Sequence, residues 1–452
     1  MPKARFMLLV GLAVLVALAG LAFIRNLIDF PVYYSAGQSL VSGRTDLYAP
    51  DFALGRVMDY RYPPFFLLAF WPLWLLPYKV AAYLWYLASI AEIALCGLFI
   101  HRLAEIPNEK RWPWVVVFFV VAPYFVLMLH YGNAHLLTVF LWFAACYFAF
   151  QKKSFFAGLL LALAISIKLV PALLLPYFAL RKQWRLLASA VVFLVAINLA
   201  PAIYFGIAKN NELLKNWFAH VVVSQEFHEA NGPINLSLKG QLRRYFSEVD
   251  YSQRVDGDVH YPAINVASLP QSQSDFAWQA VAILACLAVV GLIVFNRREL
   301  RKRHAGANET DSQDDGEAGK AETSRLRFKE AYSLEIALLI CLMLFVGPLT
   351  SKIYFIALLW PVASLAALAF NQATRQARRV ASLLIVLAVI NSVLPLLPGR
   401  SLQRWLLVLG VDFYVNLLLL LAVAYLMLAT ARPAQRRFGE RRIPSPSTTR
   451  TS

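Results

Sequence analysis

Charge is scarce in this chain: 15% of its 452 residues are Asp, Glu, Lys or Arg, against 60% hydrophobic. A soluble domain carries about a quarter charged residues, so the composition excludes a water-soluble enzyme and leaves a membrane protein. Acids are the rarer sign, 26 against 43 lysines and arginines, for a net charge of +17. In a bilayer protein that excess collects in cytoplasmic loops, so it does not imply a nucleic-acid partner. The four cysteines, Cys96, Cys146, Cys286 and Cys341, all fall inside apolar runs, which excludes a disulfide framework in the loops. Seven histidines with no paired spacing near acids form no recognisable metal site, and no cofactor is called for. The chain has no internal repeat and few intramembrane charges, Glu92 among them, which counts against a transporter or lipid-linked-saccharide flippase, the alternative class.

What is abundant is apolar sequence. Runs of spanning length or near it occur at 6–28, 80–100, 113–129, 134–150, 186–206, 276–295, 331–346, 353–370, 380–397 and 405–430. A further stretch between Lys153 and Arg181 is interrupted by Lys168 and Pro171, and reads as two short helices, 154–167 and 169–180, meeting at Lys168. The pattern predicts an all-α polytopic integral membrane protein with about 12 transmembrane helices. Clusters such as Arg181-Lys182, the nine cations from Arg297 to Lys329 and the tail from Arg432 hold 28 of the 43 cations and belong on the cytoplasmic side, with both termini. The start of the chain reads as an uncleaved anchor or a signal peptide ending near Ala19.

On this reading residues 1–430 form one membrane domain with outer loops at 29–61 and 207–275. The proline-rich stretch Tyr62 to Pro77 reads as a half-inserted segment between the first of these loops and the next span. The polar linker 299–330 is expected to be a disordered cytoplasmic connection, and 431–452 a disordered basic tail attracted to membrane lipids. Polar residues then gather on the outer side. The first outer loop holds Asp29, Tyr33, Tyr34, Asp46, Asp51, Arg56, Asp59 and Tyr62. The turn after the third run is Gly132-Asn133-Ala134-His135, and Lys168 tips the short hairpin. Asn235, Ser237, Arg243 and Arg244 lie in the long loop, and Lys352 and Tyr354 follow Gly347-Pro348.

The order of these motifs resembles a known family. Asp29 to Tyr34, Gly43 to Tyr48, Tyr62-Pro63-Pro64, Gly132-Asn133, Ile167 to Pro171 and Asn235-Leu236-Ser237 are similar to glycosyltransferase family 87. The resemblance implies a GT-C fold and a polyprenyl-phosphate-sugar donor. It also implies transfer, mostly of mannose, to a lipid or glycan acceptor; the cation distribution and the polar clusters put the site on the non-cytoplasmic side, in a cell membrane expected to be a bacterial inner membrane. It departs where the family has Gly-Gln-x-Asn and this chain has Gly132-Asn133-Ala134-His135.

The chemistry of such a donor names candidates. Its chain stays in the bilayer and its phosphate at the interface, so the site needs a cation at that depth and a base facing the sugar. Asp29 is the candidate catalytic base, able to take the proton of an attacking hydroxyl while the lipid phosphate leaves without acid help. Its other reading is a marker of the interface or a cap on the next helix. Lys168 is the candidate phosphate-binding cation, against a lysine that snorkels to the interface. Arg243 and Lys352 are secondary phosphate candidates. Tyr33, Tyr62, Asn133, His135, Asn235, Ser237 and Tyr354 are the candidate substrate-binding residues.

Overall fold

The computed structural model describes residues 3–49, 52, 60–104, 111–223, 232–247, 261–310, 317–371 and 374–431. Among these the chain is helical, with one isolated bridge between Ser247 and Leu269 and no strand. The helices used below are α1 (Lys3–Phe23), α2 (Phe30–Val41), α3 (Tyr78–Ala104), α4 (Trp112–Tyr131), α5 (His135–Phe150), α6 (Ser154–Ile167), α7 (Leu174–Leu180), α8 (Trp184–Leu199), α9 (Leu238–Phe246), α10 (Gln271–Thr310), α11 (Glu317–Val346), α12 (Leu359–Asn371), α13 (Arg375–Val393) and α14 (Val411–Ala431).

Every expected apolar run is largely helical, some of them as two helices in succession. By length and composition seven helices among the described residues can cross a membrane, or eight if Val14–Asn26 and Phe30–Val41, bent by 67°, count as one span. The chain is therefore a multi-pass membrane protein, with seven or eight helices of full spanning length among the described residues against the expected twelve crossings. At 16 and 14 residues, α5 and α6 reach about 24 and 21 Å against a hydrocarbon core of about 30 Å. The segment Lys352–Phe370 is the most buried of the spans, and Gln271–Lys302 the least. Helices approach closely where small residues permit it: a Cβ at Gly158 on α6 would meet Ser189 on α8 at 2.6 Å.

Three boundaries differ from the sequence reading. The first outer loop opens with a helix, α2, because Pro31 is preorganised for its first turn and Phe30, Val32, Tyr33, Ala36 and Leu40 are buried against the bundle. The linker expected to be disordered over 299–330 is helical as far as Thr310 and again from Glu317, with only 311–316 outside the described residues. Charged residues at helical spacing, such as Glu299 and Lys302 at 2.8 Å, let the spans extend into that polar sequence. The run 405–430 breaks at Gly410, which takes a left-handed φ of +74° and has the side chain of Gln241 where a Cβ would project. The tail 432–452, together with Asp51, Arg56 and Asp59, lies outside the described residues.

At the end of α7 away from Lys168, the buried Glu335 of α11 binds Arg181 at 2.7 Å, Arg297 at 2.9 Å and the Tyr177 hydroxyl at 2.8 Å. One carboxylate thus clamps α7, α10 and α11 together.

Candidate active site

The site is built on the turn between α4 and α5. Gly132 ends α4 in the left-handed conformation, φ +62°, and is wedged against Phe30 and Leu27, which a Cβ would meet at 3.0 and 3.1 Å. The backbone N–H of Asp29 donates to the Tyr131 carbonyl at 2.8 Å, the Trp85 indole to the Gly132 carbonyl at 2.9 Å, and the Ala134 N–H to the Tyr33 hydroxyl at 3.3 Å. The start of α2 and the α4–α5 turn are thereby fixed to each other.

Asp29 stands at the N-cap of α2 but makes no side-chain cap bond, so the capping reading is set aside. Its carboxylate is buried and accepts a 2.7 Å hydrogen bond from the side-chain N–H of Asn133. The other end of that amide, Asn133 Oδ1, accepts from the His135 backbone N–H at 2.7 Å, from Lys168 Nζ at 3.2 Å and from the Tyr62 hydroxyl at 3.5 Å. Tyr62 and Tyr33 share a 2.9 Å hydrogen bond. Burial holds the Tyr62 phenol well above its ordinary range, so it stays neutral.

Lys168 occupies the extended break between α6 and the 3₁₀ turn Val170–Leu173. Pro171 lacks the N–H that would continue α6. The ammonium lies 4.5 Å from the centre of the Tyr354 ring and 5.8 Å from that of Tyr62, and reaches the Tyr354 hydroxyl at 3.5 Å. Burial pushes its pKa down to about 7, with Asp29 pulling in the opposite direction. The ring of His135 lies against that of Tyr354, centroids 4.4 Å apart. Lys168, His135, Thr138, Trp142, Thr350 and Tyr354 are the polar and aromatic walls of a small cavity of about 30 Å³, otherwise lined by aliphatic side chains and Gly347. Thr138 and Trp142 escaped the sequence reading, although their spacing from His135 on one helix face was the available signal.

Thus Asp29, Tyr33, Tyr62, Asn133, His135, Lys168 and Tyr354 converge. The remaining candidates are engaged elsewhere. Arg243 makes a bidentate pair with Asp275 at 2.8 and 2.6 Å. Lys352 pairs with the buried Asp412 at 3.5 Å, and Asp412 also accepts from Tyr124 at 2.9 Å. Asn235 and Ser237 are fully buried: Asn235 bridges the Pro348 carbonyl and the Thr350 N–H, and Ser237 caps α9 through the Gly240 N–H. The Asn235 side chain thus holds the turn 347–350, and neither residue is among those lining the cavity. Arg244, buried beside them, donates to the Pro233 and Asn235 carbonyls. Asp46 is on the surface near Lys209, and Glu92 lies midway along α3, outside the cluster.

Comparison with known proteins bears on this site. The profile of glycosyltransferase family 87 matches residues 60–310, more than half of the chain. The chain belongs to glycosyltransferase family 87. It is 30% identical over 185 residues to a polyprenol-phosphate-mannose-dependent alpha-(1-2)-phosphatidylinositol pentamannoside mannosyltransferase of Mycolicibacterium smegmatis, covering 39% of this chain and 43% of that protein. It is also 28% identical over 295 residues to a polyprenol-phosphate-mannose-dependent alpha-(1-2)-phosphatidylinositol mannoside mannosyltransferase of the same organism, covering 61% and 59%. The matched regions thus span about two-fifths to three-fifths of those relatives' length. A crystal structure of ArnT from Cupriavidus metallidurans in the apo state is similar over 95% of this family 87 chain and 75% of that chain, at 16% identity and a TM-score of 0.44.

Proposed function

We propose that this protein transfers a mannosyl group from a polyprenyl-phosphate-linked donor to a lipid or glycan acceptor at the non-cytoplasmic face of the cell membrane. The observation that carries the reading is a buried carboxylate and a half-buried ammonium held at the two ends of one amide, beside a largely apolar cavity. The family supplies the reaction class, and the mycobacterial relatives supply the donor and the glycolipid type of acceptor. The distribution of cations along the sequence supports the choice of face.

In this mechanism the donor phosphate is held by Lys168, whose ammonium has three N–H groups to share. An acceptor hydroxyl attacks the anomeric carbon while Asp29 takes its proton. The new bond from acceptor oxygen to sugar carbon forms as the bond from that carbon to phosphate oxygen breaks, and its electron pair leaves on the polyprenyl phosphate. One displacement inverts the anomeric centre. No protonated leaving group is needed, because a phosphate ester oxygen departs as a stable anion.

The test is transfer of radiolabelled mannose from polyprenyl-phosphate mannose, by wild type and Asp29→Asn, in proteoliposomes whose orientation is set by an accessible tag. Asp29→Asn keeps the shape but cannot accept the proton, so turnover is expected to fall by on the order of 100-fold or more. Transfer only to acceptor on the face bearing the termini, or no transfer by wild type, would overturn the reading.

A further inference from the structure

We infer that Asn133 is a positioning residue that sets the base and the phosphate-binding cation against each other, instead of a contact to the sugar. The inference rests on the reading of Asp29 and Lys168 above. Three donors face one end of the amide: the His135 N–H at 2.7 Å, the Lys168 ammonium at 3.2 Å and the Tyr62 hydroxyl at 3.5 Å. That end must be the carbonyl oxygen, and the N–H₂ end is left pointing at Asp29 Oδ2, 2.7 Å away. The bond to the N–H two residues on is an Asx turn, so the side-chain torsion is set by the same turn that carries it. The turn itself is pinned from both sides by Asp29, Trp85 and Tyr33. Asn133 therefore has little freedom to turn toward a sugar, and Asp29 has a preferred rotation.

The arrangement also leaves Lys168 a donor for substrate. Of its three N–H groups, one serves Asn133 and one reaches toward the Tyr354 hydroxyl, which leaves the third for a phosphate oxygen. The donor phosphate can thus arrive without breaking the link to Asn133, and the base stays aligned as the site fills. A hydrogen bond to a charged group of this kind is worth on the order of 10- to 100-fold in the step it aligns.

The experiment uses the full-length reconstituted protein with Asn133→Ala, Asn133→Asp, Asp29→Asn and the double variant Asp29→Asn/Asn133→Ala. Turnover is read at saturating donor, and affinity is read separately with the sugar-bearing donor and with polyprenyl phosphate. Asn133→Asp keeps an oxygen facing His135 and Lys168 but puts a carboxylate oxygen in place of the N–H toward Asp29, which breaks that half of the bridge by loss of the donor and by repulsion, and it serves if the alanine variant unfolds.

The expected result is a 10- to 100-fold loss of turnover in both single Asn133 variants. Asn133→Ala should keep both affinities within about threefold, and the double variant should be no slower than Asp29→Asn. Wild-type turnover in the Asn133 variants would overturn the inference, as would losses that multiply in the double variant. A loss confined to affinity for the sugar-bearing donor would make Asn133 a sugar contact and also overturn it. Wild-type turnover in Asp29→Asn would remove the base assignment itself, a failure visible without any Asn133 variant.

Discussion

With Lys168 in the proposed role of holding the donor phosphate, donor affinity should depend on pH. The described hydrogen-bond partners of the ammonium are the neutral Asn133 and Tyr354, and burial lowers its pKa to about 7, so at neutral pH about half the free protein carries the charge there. A sugar linked to a lipid through phosphate is a phosphodiester and keeps a single negative charge throughout the accessible range, so the lysine is the titrating partner of the pair. Its approach raises the lysine pKa, and binding takes up a proton above pH 7. Between pH 7 and pH 9 the protonated fraction of the free site falls from about one half to about one hundredth, so donor affinity should drop roughly 50-fold. Lys168→Arg, charged at every pH used, should bind with little slope. Lys168→Met should bind weakly and also without slope. Equilibrium binding of radiolabelled donor in detergent at pH 7, 8 and 9 reads all three. A wild-type profile as flat as that of Lys168→Arg, or tight binding by Lys168→Met, would refute the phosphate assignment. Without donor the sign of the stability effect is the reverse: the unfolded chain keeps the proton to about pH 10 and the folded chain sheds it near 7, so this group makes the free protein more stable as pH rises through that window.

Two further predictions test the frame around the site. Gly132→Ala forces a left-handed φ on a residue with a Cβ and presses on Phe30 and Leu27, so it should cost about 1–2 kcal/mol in thermal unfolding and lower turnover more than donor affinity, because the Asp29–Asn133 contact shifts. Glu335→Gln leaves Arg181 and Arg297 facing a neutral amide and should destabilise the purified protein by about 3 kcal/mol, with donor affinity within about twofold of wild type because the clamp lies away from the cavity.

The parts of this structure that sequence disclosed are those in which one residue violates its surroundings. Lys168 and Pro171 interrupt an apolar stretch, and the helix breaks there because Pro171 supplies no N–H and the lysine side chain turns inward to polar partners. Roles that depend on a distant partner were not legible. Arg243 reads as a spare cation until Asp275, 32 residues on, is seen to occupy it. Asn235 reads as a substrate contact because it is polar on the expected face, yet its bonds go to a turn more than a hundred residues away. Asp412 and Glu335 each lie inside an apolar run, where an acid is costly and is itself the signal of a buried partner.

The same distance effect bears on why an amide stands between Asp29 and Lys168 where a direct ion pair would fit the sequence equally well. In contact, the two charges would attract by about 4 kcal/mol at 4 Å in an effective dielectric of 20, and each would be spent on the other. The carboxylate would become a weaker base, and the ammonium would have to leave it before meeting a phosphate. Separated by the amide, at a spacing on the order of 6 Å, their attraction falls to roughly 3 kcal/mol. The hydrogen bonds at 2.7 and 3.2 Å still hold both groups in place. In the proposed roles, the carboxylate is then not spent on the ammonium when a hydroxyl arrives, and the ammonium can still turn an N–H toward the donor. Asn133 joins residues 104 and 35 positions away in the chain, and only the fold of the α4–α5 turn against α2 and the α6 break brings the three together.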